Sequence, residues 1–200
     1  MTIRIQPTFG FAILGMILLI GCGDLNDSDQ LKTSGEQLLA CSAFFNVVGL
    51  QLPDQIAIDQ EALMMRDFFA DYARLYLEAS FGHAPSDLEM NNLISTALEK
   101  LETMHRNNAH PEAMLPECLA WQVKILNLTE AAGLTGLDSM NRSTVRQHLI
   151  ISDAPSDSDV ERVRADTPAE LTAAARRAFR LWGNRGYMTP RKAAETLGIN

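Results

Sequence analysis

The sequence is poor in basic charge. Seventeen Lys and Arg stand against 25 Asp and Glu, a formal net charge of −8. Binding to phosphate backbones needs a surface of the opposite sign, so a general nucleic-acid role is not expected. There is no CxxC pair, which leaves a thioredoxin-like redox role without support. GxSxG and SxxK are absent too, and no Gly-rich stretch has the form of a phosphate loop. No catalytic residue is nominated, and no cofactor is expected. Disorder is equally poorly supported, because 46% of the 200 residues are hydrophobic, enough to build a core.

What is present begins near the N-terminus. From Phe9 to Ile20 the chain reads FGFAILGMILLI, twelve uncharged residues behind Arg4. A membrane span needs about 20 apolar residues, whereas this run has the length of a signal-peptide core. It leads into Leu19-Ile20-Gly21-Cys22, which resembles the lipobox of bacterial lipoproteins. The resemblance covers the first 22 residues. It implies removal of residues 1–21, a diacylglyceryl group on Cys22 and acylation, typically with palmitate, of the new amine. Each buried CH₂ of such chains contributes about 0.8 kcal/mol, so several chains anchor a protein without any span. In enterobacterial-type lipoproteins, Asp directly after the Cys is associated with inner-membrane retention. Here Gly23 intervenes before Asp24, which tilts the expectation towards the outer membrane. Residues 22–35 then read as the lipidated Cys and a flexible polar tether.

Lipidation of Cys22 leaves two cysteines, Cys41 and Cys118, an even pair for an oxidising compartment. Cys41 shares a helical stripe with Leu38, Phe45 and Val48, and Cys118 shares one with Trp121, Ile125 and Leu128. Both stripes face an interior, so a Cys41–Cys118 disulfide is expected. The segments Cys41-Ser42-Ala43-Phe44-Phe45 and Glu117-Cys118-Leu119 loosely resemble small two-cysteine exported proteins of proteobacteria. That pattern covers about half of the mature chain and carries no assigned activity.

Between Glu36 and Ala132 nothing alternates with period two, and apolar residues recur at spacings of three and four. The predicted helices are Glu36 to Gln51, closed by Pro53; about Asp54 to Gly82; one opened by the capping box Ser86-Asp87-Leu88-Glu89; and one from Pro111 or Pro116 to Ala132. The fold class is all-α, an antiparallel bundle of about four helices over 36–132 with a helical extension over 133–200. The extension differs in charge. It holds 10 basic and 8 acidic side chains, against 6 and 17 in residues 23–132. A short helix near Ser143 to Ile151, a loop over 152–159, a helix opened by Thr167-Pro168-Ala169-Glu170 and a last one from Thr189 to Leu197 complete the reading.

Residues with site chemistry are few. Met104, His105, His110 and Met114 gather before the fourth helix, but their spacing matches no metal motif, and no metal is expected. Phe44, Phe45, Phe68, Phe69, Tyr72, Tyr76 and Phe81 have the spacing of a packed core, with an apolar ligand pocket as the competing reading. The run holding Arg176, Arg177, Arg180 and Trp182 is a candidate partner or lipid surface, or a face that docks on the acidic bundle. These features describe a lipid-anchored, periplasm-facing cell-envelope protein, non-catalytic, that binds or assembles with a protein partner. A carrier of lipid or another apolar ligand is the first alternative. An inhibitor or immunity-type protein of a periplasmic enzyme is the second.

Overall fold

From Leu38 to Gly49 every residue of the first helix is buried. A helix with no wet face has to sit in the middle of its neighbours. In the computed structural model, which describes residues 23–51, 56–149 and 154–185, this helix is α1 (Gly23–Leu50). Around it stand α2 (Ile56–Phe81), α3 (Asp87–Arg106), α4 (Met114–Ala131) and α7 (Ala169–Arg185), all of which contact it. Two shorter helices, α5 (Arg142–His148) and α6 (Asp157–Asp166), pack on α2 and α4 respectively. Among the described residues there is no strand, and the fold is an all-α bundle.

The pairing of α1 with α2 is antiparallel in register. Ser28 meets Ser80, a side chain at Gly35 would meet Leu77, Ser42 Oγ donates to the Arg66 carbonyl at 3.0 Å, and Gly49 faces Leu63. At Gly35 the two backbones come close. An added Cβ would lie 2.8 Å from Leu77 Cγ and 3.4 Å from the Ala73 carbonyl. Gly35 therefore allows the close approach and does not break the helix.

The expected tether is thus corrected. The stretch 23–35 is the first half of α1, with Leu31, Ser34 and Gly35 buried. Its polar residues Asp29, Lys32, Thr33 and Glu36 lie on the wet side, where Lys32 and Glu36 form an i,i+4 pair at 3.9 Å. Packing against α2 overrides the turn preference of Gly, Asp and Ser.

The capping box that opens α3 is present. Ser86 N–H donates to Glu89 Oε2 at 2.9 Å, and Glu89 N–H donates to Ser86 Oγ at 3.3 Å. Met90, Ile94, Ala97, Leu98 and Leu101 form its buried stripe. On α4 the buried face is Leu115, Cys118, Trp121 and Ile125. Cys41 and Cys118 are joined by a disulfide, with Cα atoms 5.5 Å apart.

Helix α7 of the C-terminal third is not part of a separate appendage. Ala174, Ala175, Ala178, Phe179 and Trp182 belong to the same core cluster as Phe44 and Leu38. The loop expected over 152–159 holds for the described residues 154–156 and ends at Asp157, where α6 begins. Ser156 opens α6 through a second capping box, its Oγ accepting from Asp159 N–H. The expected last helix, Thr189 to Leu197, lies outside the described residues, as does the lipobox with Cys22. No described helix is long and apolar enough to cross a membrane.

Candidate functional site

Helical geometry decides which arginines of α7 reach solvent. The buried set Ala174, Ala175, Ala178, Phe179 and Trp182 turns one side of the helix inward. Arg176 and Arg180, one turn apart, project from the other side and are exposed, while Arg177 is half-buried. Trp182 leaves the surface that the sequence suggested for it. It follows Phe179 by three positions, packs on that ring at 5.7 Å and lies 6.0 Å from the His105 ring on α3. The candidate surface therefore keeps its arginines and loses its tryptophan.

Beside these arginines the surface is concave. A cavity of about 560 Å³ lies where the turn Pro111–Ala113 and the start of α4 meet the end of α6 and the start of α7. Leu115 and Pro116 form its buried floor, and Arg164, Arg176 and His110 stand at its edge. On the other side of Arg176 a hollow of about 320 Å³ is bounded by His105, Asn108, Phe179 and Arg180. A third, of about 550 Å³, follows the outer face of α7 from Ala169 to Arg180. Arg176 lines all three.

The charges in this groove are unevenly balanced. Arg164 is paired with Glu161 on its own helix, and His110 Nδ1 lies 3.2 Å from Glu112 Oε1. Arg176 and Arg180 have no carboxylate within 4.0 Å among the described residues. A separate cavity of about 390 Å³ between α1, α3 and α4 is lined by Gln37, Leu93, Lys100, Met104 and Met114.

The other residues singled out in the sequence are dispersed or consumed by packing. His110 is mostly exposed, and His105 is engaged by Trp182. Among the described residues no three His, Cys, Asp or Glu side chains are grouped to hold a metal. The aromatics pack on one another. Phe45 stacks on Phe69 at 5.7 Å, Phe68 lies on Tyr72 at 4.6 Å, and Tyr76 meets Trp121 edge-on at 6.3 Å.

Among the carboxylates, Asp71 on α2 is held above its ordinary range. Loss of hydration is the first cause and the Asp67 charge one turn earlier is the second, both opposed by Arg74. Glu89 and Asp159 are held below theirs by the capping hydrogen bonds from Ser86 and Ser156. No protein-family model, curated protein or solved structure matches this chain.

Proposed function

We propose that the chain is a bacterial lipoprotein anchored through Cys22, whose helical domain faces the periplasm and acts as a non-catalytic binding or assembly protein of the envelope. The observation that carries the reading is the Leu19-Ile20-Gly21-Cys22 motif directly behind a twelve-residue apolar run. The Cys41–Cys118 disulfide supports it, because such a bond persists in an oxidising compartment. The groove beside α7 favours binding to a partner over carriage of an apolar ligand between the helices. There the surface is open and charged, whereas the aromatics between the helices are in mutual contact.

The anchor and the compartment are tested together by intact-mass analysis of the protein purified from its native membrane. Loss of residues 1–21, added acyl mass and no labelled thiol before reduction is the expected result. In parallel, Cys22→Ala should release the protein from the membrane fraction; its retention there would overturn the lipoprotein reading.

A further inference from the structure

We infer that the open face of α7 is a docking groove for an extended acidic segment of a partner protein. This rests on the reading of the chain as a binding protein and names the chemistry of what it binds.

The shape of the groove is the first argument. Its hollows share Arg176 as a common wall and lie side by side along α7 from Ala169 to Arg180. At 1.5 Å per helical residue that is about 16 Å, the length of about five residues of extended chain. A compact molecule would fill one hollow, whereas a peptide follows all of them.

Charge is the second argument. Residues 23–132 carry 17 acidic and only 6 basic side chains, yet among the described residues none of those carboxylates comes within 4.0 Å of Arg176 or Arg180. Like charges at i and i+4 repel, so the face is left electrostatically unsatisfied by its own protein. Glu112, the one carboxylate among the described residues lining these hollows, is turned to His110 instead. Guanidinium groups take carboxylates in a planar two-bond fork, which matches Asp or Glu on an incoming chain. The apolar floor of Leu115 and Pro116 supplies the third argument. It offers an insertion point for one apolar side chain between the carboxylates, the usual anchor of a peptide interface.

The test pans the full chain, purified in detergent, against a random dodecapeptide library and measures the enriched peptides by fluorescence anisotropy. Enriched sequences should place Asp or Glu around an apolar residue, and their binding should weaken as salt rises. The double variant R176E/R180E should lose about tenfold or more in affinity, and R176Q/R180Q, which removes charge without reversing it, should lose in the same direction. R142E, altering an exposed arginine on α5, should bind like the parent. A library without acidic enrichment overturns the proposal. So does undiminished binding by R176E/R180E with a native circular dichroism spectrum, although peptide binding itself would then leave the broader function standing. If no peptide is enriched and dodecanoate binds in an Arg176-dependent way, the face belongs to an anionic amphiphile and the proposal fails.

Discussion

Ser28 and Ser80 exchange hydrogen bonds across the α1–α2 interface. Ser28 Oγ donates to the Ser80 carbonyl at 2.8 Å, and Ser80 Oγ donates to the Ser28 carbonyl at 2.9 Å. The start of α1 is thereby fastened to the end of α2. Each bond should contribute about 1 kcal/mol net, and because the two residues touch each other, the costs of Ser28→Ala and Ser80→Ala should not simply add. Chemical denaturation of both single variants and the double variant measures this. Wild-type stability in the double variant would mean that residues 23–35 are not docked.

The disulfide closes a loop of 77 residues between the second half of α1 and the first turns of α4. In the chain-entropy account, its removal should lower stability by about 4 kcal/mol, mainly by freeing the unfolded chain. Cys41→Ser with Cys118→Ser should therefore retain the helical spectrum while the denaturant midpoint falls and the slope steepens, because the unfolded chain without the cross-link exposes more surface. An unchanged midpoint would show that the bond carries none of the stability.

The parts of this fold that were legible in the sequence are those whose cause is local. α3 announces itself through Ser86 and Glu89, three residues apart, and through a stripe from Met90 to Leu101 at helical spacing. The first half of α1 has no such stripe. Between Gly23 and Gly35 the large apolar residues are Leu25 and Leu31, among turn-forming Asp, Ser and Gly, so packing on distant residues such as Ser80 and Leu77 holds the stretch helical. The Ser156–Asp159 capping box did carry a local signal for α6, but Pro155 and the surrounding Ser and Asp read more simply as a loop. In the groove, Arg176 and Arg180 were visible as a basic run. Arg164, His110, Leu115 and Pro116 were not, because tertiary packing alone brings three segments together there. The Cys41–Cys118 pair was legible because both residues lie on apolar stripes, which leaves few directions for the thiols to point.

Phe179 of α7 lies 5.3 Å from Phe44 of α1, with both rings essentially fully buried. Helix α7 therefore completes the core. Phe179→Ala should cost about 3–5 kcal/mol, the usual range for deleting a buried aromatic ring. An independent extension would predict almost no change in global stability. The two outcomes are well separated in a urea titration followed by far-UV circular dichroism.

Stability should respond to pH in opposite senses at two carboxylates. Asp71 is raised above its ordinary value of 3.8, so the folded protein holds that proton more tightly than the unfolded chain. Its contribution is complete below the unfolded value and is lost as pH rises through the raised native value. Asp71→Asn has no proton to lose and should melt higher than wild type at pH 7, the two curves converging in acid. Glu89 behaves oppositely. Hydrogen bonds from Ser86 lower it from 4.5, so its contribution is present above that value and disappears as pH falls through the depressed native one. Glu89→Gln should therefore melt lower than wild type at pH 7 and approach it in acid. Thermal melts of the three proteins from pH 7 to pH 3 separate the two effects. A Glu89→Gln deficit that persists at pH 3 would show that its carboxylate charge is not what holds the capping box, and a neutral-pH gain absent from Asp71→Asn would remove the cost assigned to burying the Asp71 charge beside Asp67.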